Sequence, residues 1–165
     1  MGLGGNIGER ELNLKRALEK IAQMEGVRFK RASRVYSTPP YGFADQPYFL
    51  NQAVEIETAL EPEELLKGLG EIEKSLGRRR SEVKWGPRTI DIDILLCGEK
   101  GELVFESELL KIPHPDLHNR AFFLLPLCEL DALLVHPHSK ESVGLLLSKL
   151  DKQTVESCVV SEEER

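Results

Sequence analysis

Leu14, Ala17, Leu18 and Ile21 recur at helical spacing between Glu9 and Met24, and Gly26 follows as a stop signal, so a first helix is expected there. Val27 to Thr38 is rich in β-branched and aromatic residues and is closed by Pro39 and Pro40, whose rings cannot continue a ladder; it reads as one strand. Phe49 to Thr58 alternates, with Leu50, Val54 and Ile56 on one face and Phe49, Asn51, Ala53, Glu55 and Glu57 on the other, the pattern of a half-buried strand. Pro62 suits a first helical turn, Glu63 and Glu64 complement its dipole, and Leu65, Leu69, Ile72 and Leu76 form an apolar stripe before Gly77. From Thr89 to Leu96 strict alternation returns, predicting a strand that buries Ile90, Ile92 and Ile94. A short strand over Leu103 to Phe105, a helix from Asn119 to Leu125 stopped by Pro126, and a striped helix from Val143 to Leu150 complete the reading. The order strand, helix, strand, strand, helix, strand predicts an α+β fold, an antiparallel sheet with helices packed on it.

The chain has 165 residues, 41% hydrophobic and 30% charged, which fits one soluble domain over 1–160 with a frayed acidic tail at 161–165. Its three cysteines are far apart and never in a C-x-x-C spacing, so neither a disulfide framework nor a zinc knuckle is indicated, and a reducing cytoplasm is expected. No apolar run approaches the roughly 20 residues that cross a bilayer, so no membrane association is expected. A net charge of −6 argues against a surface that tracks nucleic acid throughout. That total averages two unlike regions: residues 78–88 hold five Lys or Arg against one Glu, while the other positions hold 17 against 27 Asp and Glu. The positive charge is concentrated in one loop.

Immediately after that loop come Asp91 and Asp93. Two apart on a strand, their carboxylates leave the same face about 6 to 7 Å apart. Hard oxygen ligands at that separation suit magnesium ions that also hold phosphates, whereas the plain alternative is a solvated outer face. Arg78, Arg80, Lys84 and Arg88 precede the pair closely and call for an anion, for which phosphate is the natural match. Cation ligands beside anion ligands imply a metal-nucleotide; the competing reading is an RNA-binding loop with Trp85 as a stacking platform. Glu73, on the last turn of the second helix, opposes the dipole there, so a cation from the arginine loop should stabilise it. Gly4-Gly5-Asn6-Ile7-Gly8 lacks the ending of a phosphate-binding loop and reads as a tight turn between a first strand and the first helix. His114 and His118 are i, i+4, but Pro113 and Pro115 disfavour a metal-binding helix; a histidine near Arg120 is better suited to donate to phosphate oxygens. Tyr41 to Pro47 is a breaker-rich loop with aromatics, of the kind that carries function.

Four stretches, GLGGNIGER, SRVYSTPPYGFADQPYFLN, IEKSLGRRRSEVKWGPRTIDIDILL and IPHPDLHNRAFFLLPL, occur in the order and spacing of the 6-hydroxymethyl-7,8-dihydropterin pyrophosphokinase family, which the chain resembles over most of residues 2–130. The resemblance implies a ferredoxin-like α+β core and transfer of a pyrophosphoryl unit from ATP to the pterin alcohol with release of AMP, a step of folate biosynthesis. It implies that Asp91 and Asp93 bind two magnesium ions with ATP, and that Arg80 and Arg88 act in transfer. Glu73, Arg78, Trp85, Arg88, His114 and Arg120 match nucleotide-site positions. For the pterin it implies backbone groups around Thr38, Pro39, Pro40, Tyr41 and Gly42, the side chain of Asn51, and stacking on Phe49 and Phe122. Nucleic acid and membrane are not among the implied partners, and the resemblance to monomeric relatives implies a monomer.

The chain departs from the family's usual pattern in three places. Pro115 stands where a tyrosine is common and Tyr41 where an aliphatic residue is common. Only Met1, Gly2 and Leu3 precede Gly4, and Gly5 replaces a serine, so either the native start lies upstream or the sheet loses much of its first strand.

Overall fold

A computed structural model describes residues 1–42, 44–78 and 86–161. Its first half runs β1 (Gly2–Gly5), α1 (Arg10–Ala22), β2 (Val27–Ala32), β3 (Tyr36–Thr38), β4 (Phe49–Thr58), α2 (Pro62–Ser75) and β5 (Asp91–Asp93). The strand order is β5-β1-β4-β3, antiparallel throughout, with β2 also on β4 and a late strand, β8 (Val159–Val160), on the outer edge of β3. With β2 and β3 taken as two halves of one arm, this is the ferredoxin-like α+β arrangement.

The segment expected as one strand is interrupted at Ser33–Val35. The gap is bridged rather than open. Ser33 N–H donates to Ala53 O (2.9 Å), the Ser33 hydroxyl accepts from Ala53 N–H (3.0 Å), and Gln52 Nε2 donates to Ser33 O (2.6 Å). A hydroxyl standing in for a carbonyl keeps β4 paired while the arm bends.

Nor is β4 half-buried, as its alternation suggests. Leu50 and Val54 join Leu3 and Ile92 under α1 and α2, with Leu14, Ala17, Ile21, Leu65 and Leu69. Ala53, on the opposite face, is equally buried, in a second cluster with Leu95, Phe123, Leu124 and Leu127. The second cover is α3 (Ala121–Asp131), reached through β6 (Phe105–Glu106), β7 (Lys111–Ile112) and a 3-10 turn at Leu117–Asn119. Leu103, placed by sequence in a short strand, makes only a bridge to Cys97, and the ladder begins at Phe105.

Pro126 does not end α3, which continues five residues past it. A proline inside a helix removes one hydrogen bond and clashes with the preceding turn, at about 3 kcal/mol. Full burial of Leu124 and Leu127, at roughly 1.5 to 3 kcal/mol each, outweighs that. Beyond α3, α4 (Val143–Ser148) is capped by the Ser142 hydroxyl accepting from Leu145 N–H, and α5 (Lys152–Glu156) leads into β8. Neither α5 nor β8 has an apolar period long enough to be read from sequence.

α3 is fastened to β3 by Glu129, which accepts from the Tyr36 hydroxyl (2.6 Å) and from Arg34 N–H (2.9 Å). Burial pushes the Tyr36 phenol up to about 12, with Glu129 adding to it. Tyr36→Phe keeps the packing and removes this bond to a carboxylate, so it is expected to lower stability by about 1.5 to 3 kcal/mol. Urea unfolding should show a lower midpoint at an unchanged slope.

Candidate active site

The register lines up the chemistry across three strands. Gly4 pairs with Asn51 on β4 and with Asp91 on β5, and Gly2 pairs with Ala53 and Asp93. Tyr36 continues the first row beyond Asn51, and Thr38 sits opposite Phe49. Directly paired residues share a face, so Thr38, Phe49, Asn51, Asp91 and Asp93 all rise from the α3 side of the sheet. Positions 2 and 4 are glycine, which lets the Asn51 carboxamide lie over Gly4 and Leu95 and Phe123 over Gly2, and a trough opens between Asn51 and the aspartates.

The trough is a cavity lined by Thr38, Pro39, Tyr41, Phe49, Asn51 and Phe122 together with Arg88, Asp91, Asp93 and Arg120. Ten of the sequence-predicted residues thus meet in one place. Pro40 and Gly42 belong to the adjoining loop without forming its wall. Arg80 and Trp85 lie outside the described residues. Asn51 Nδ2 donates to Thr38 Oγ1 (2.7 Å), which fixes the carboxamide and leaves Oδ1 and the second N–H for a ligand. Arg120 spans the mouth, its guanidinium 5.0 Å from the Tyr41 ring and 5.5 Å from that of Phe122, with Asp116 accepting at 2.5 Å. Its Nε is buried with no partner among the described residues.

A second cavity adjoins the first through Asp93. Leu66, Ile92, Ile94, Leu109, Leu110 and Pro115 give it apolar walls, and Lys111 and His114 give it polar ones. Sequence reasoning placed only His114 and Asp93 here; the contribution of the β6–β7 hairpin carried no readable signal. Pro115, the departure noted above, forms part of this wall. His114 Nδ1 accepts from Asp116 N–H (3.2 Å), which leaves the proton on Nε2. Burial, then the charge of Arg120, lowers its pKa and favours the neutral ring.

Arg78, behind the trough, and Arg88, in its wall, both pair with Asp91, Arg78 at 2.5 Å. Arg78 also pairs with Glu73, the cation that the helix-terminal carboxylate called for, and Glu73 accepts from Ile92 N–H (2.7 Å). Glu73 therefore acts on β5 from behind and lines neither cavity. Burial pushes its carboxyl upward against the opposing pull of Arg78.

Asp93 has no salt bridge among the described residues. Burial pushes its pKa up to about 7, and the charges of Asp91 and Glu73 push in the same direction. The charges of Arg78 and Arg88 pull the other way but do not offset three clustered carboxylates, and a divalent cation would supply the remaining positive charge. Among the described residues no group of three or more His, Cys, Asp or Glu converges as a metal cage. A carboxylate pair with its other ligands left to water and phosphate is the donor set that magnesium takes.

Two residues missed by the sequence reading complete the site. Phe123 packs edge-on against the His114 ring, with centroids 5.0 Å apart, and backs the mouth of the trough. Asn6, in the turn after β1, is 2% exposed and bonds both to the loop before Phe49 and to the backbone of Arg88. Its only signal in the sequence is the glycine-rich turn, which does not complete a phosphate-loop pattern. Gly5, where the family usually has serine, has no room for a side chain: a Cβ would lie 2.4 Å from Thr89 O.

Residues 1–132 match the family model described as 7,8-dihydro-6-hydroxymethylpterin-pyrophosphokinase. Among individual proteins, the chain is 47% identical over 130 residues to the 2-amino-4-hydroxy-6-hydroxymethyldihydropteridine pyrophosphokinase of Bacillus subtilis, covering 79% of this chain and 75% of that one. The enzyme of the same name from Methylorubrum extorquens is 44% identical over 156 residues, 94% of this chain and 95% of the relative. That from Aquifex aeolicus is 41% identical over 137 residues, 83% and 82%.

Proposed function

The chain belongs to the 7,8-dihydro-6-hydroxymethylpterin-pyrophosphokinase family, and from that premise we propose that it transfers the terminal pyrophosphoryl unit of ATP to 6-hydroxymethyl-7,8-dihydropterin, with release of AMP. The observation that carries the reading is the pair of cavities meeting at Asp93, one walled by aromatics and a carboxamide, the other by aliphatic side chains and His114.

The pterin ring takes the glycine-floored trough. Phe49 and Phe122 offer it apolar faces, and Asn51, with backbone groups from Thr38, Pro39, Pro40, Tyr41 and Gly42, meets its polar edge. Adenosine takes the second cavity, with His114 Nε2–H and the guanidinium of Arg120 directed to the phosphates between the two. Arg78 and Arg88, both paired with Asp91, are among the described residues the cations set beside the transferring group. Arg80 and Trp85 are assigned to the same region by resemblance alone. Two magnesium ions, held by Asp91 and Asp93, would neutralise the triphosphate and polarise its phosphoryl oxygens.

The pterin hydroxymethyl oxygen forms the new bond to the β-phosphorus, the bond from that phosphorus to the α–β bridging oxygen breaks, and AMP leaves while the hydroxyl proton is released. Protein groups contribute alignment and charge, which is what phosphoryl transfer mostly requires. Glu73 holds Ile92 N–H and so fixes the strand on which the aspartates stand. We further place the enzyme in the cytoplasm as a monomer with one domain over 1–160. Among the described residues no helix is long and apolar enough to cross a membrane. An RNA-binding role draws no support, because Arg78 and Arg88 face carboxylates that would repel a phosphate backbone.

Incubation with ATP, magnesium and the pterin alcohol should yield AMP and the pterin pyrophosphate in equal amounts. Formation of ADP instead would overturn the reading.

A further inference from the structure

We propose that Tyr41 is a positioning residue whose ring seats the guanidinium of Arg120 at the mouth of the trough, so that the cation faces the phosphate region before any ligand arrives. The proposal deepens the function proposed above and rests on it for the identity of the anion, the triphosphate of a nucleotide.

Three aromatic rings lie within cation–π reach of the Arg120 guanidinium, Tyr41 at 5.0 Å, Phe122 at 5.5 Å and Phe123 at 5.7 Å. The Phe122 ring is 6.3 Å from that of Tyr41 and 4.6 Å from that of Phe123, so the three form one seat on one side of the cation rather than a cage around it. Phe122 and Phe123 follow Arg120 directly into α3, and Asp116, in the turn before it, accepts from the guanidinium at 2.5 Å. These neighbours in sequence fix the cation relative to its own turn. Tyr41 comes from a different part of the chain, the loop after β3, and is the nearest of the three rings. It ties the cation to the wall of the trough, in which both residues stand.

Arg120 is held in a state that asks for an anion. Its side chain is 14% exposed, and its Nε is buried with no partner among the described residues. A desolvated donor without an acceptor is costly, and aromatic faces offset part of that cost by attracting the positive charge itself. Phosphate oxygens supply the missing acceptor. A guanidinium already in place also loses less rotamer freedom when the ligand binds. The aliphatic side chain common at position 41 in the family has no π face and would leave the cation freer to turn to solvent. Tyr41 itself is 50% exposed, so its replacement removes this contact at little cost to the fold.

Calorimetry tests this as the Kd of α,β-methylene-ATP in saturating magnesium, without pterin. Tyr41→Leu should weaken binding about 3- to 30-fold, the span from an exposed to a desolvated cation–π contact. Tyr41→Phe keeps the π face and should recover binding to within about twofold of native. In an Arg120→Met background Tyr41→Leu should change the Kd by less than about twofold, because no cation is left to position. A readout that needs no ligand is the Arg120 Nε–H resonance of isotope-labelled protein, assigned by its loss in Arg120→Met. Native and Tyr41→Phe should share its ring-shifted position, and Tyr41→Leu should displace it. Native affinity in Tyr41→Leu, a Tyr41→Phe variant as weak as Tyr41→Leu, full additivity with Arg120→Met, or a resonance unmoved in Tyr41→Leu would each overturn the proposal. A native protein that binds no nucleotide analogue would instead overturn the function on which it rests.

Discussion

At pH 8, Asp93→Asn is expected to raise the thermal midpoint measured without metal while reducing AMP formation in saturating magnesium by at least about 10³-fold. The two effects have one origin. The Asp93 carboxyl sits at about 7 because burial, Asp91 and Glu73 all oppose its charge, against an ordinary 3.8. Between those values the folded chain holds a proton that the unfolded chain has released. Stability therefore falls as pH rises through that window, by up to about 1.4 kcal/mol per unit. Asparagine is neutral and nearly isosteric, so it removes this penalty and with it one hard ligand and one negative charge from the proposed magnesium site. Melting curves in EDTA should show native and variant proteins close together near pH 4, and the variant ahead at pH 8. A variant less stable than native at pH 8 would mean that Asp93 is already compensated by a cation of the protein itself. Turnover near the native level in saturating magnesium would sink its role as a metal ligand.

How far the sequence discloses this site depends on whether a residue signals its role locally. Asp91 and Asp93 announce themselves because strand alternation puts both carboxylates opposite isoleucines that turn out to be buried. Phe49 and Asn51 are visible for the same reason. Gly2 and Gly4 are not, since their role is to lack side chains beneath Asn51 and the aspartates, and that depends on a register between strands far apart in sequence. Asn6 and the β6–β7 hairpin are silent likewise, because their partners lie on other elements. In the fold, the six-element order was legible from periodicity. The break at Ser33 and the passage of α3 through Pro126 were not, because in each a tertiary interaction overrides a local preference: a hydroxyl bonded to β4 in the first, buried leucines in the second.

The same register makes the floor of the trough a sensitive point. Gly4→Ala should weaken pterin binding about 10- to 100-fold, as much as Asn51→Ala, with the nucleotide Kd little changed in either. A Cβ at position 4 would lie 2.5 Å from Asn51 Oδ1 and 3.5 Å from its Cγ, and the next nearest atom, Leu50 O, is at 3.8 Å. The side chain of Asn51 can give way by rotating, so the fold should lose little. Rotation, however, breaks the bond to Thr38 Oγ1 and turns the carboxamide out of the place where it meets the ring edge. The two substitutions then act on one contact and should not add. In the Asn51→Ala background, Gly4→Ala has no carboxamide left to displace, and its further effect on pterin affinity should shrink to about threefold or less. Full additivity would mean that the methyl group blocks the ring itself, and an equal loss for nucleotide would remove Asn51 from the pterin side altogether.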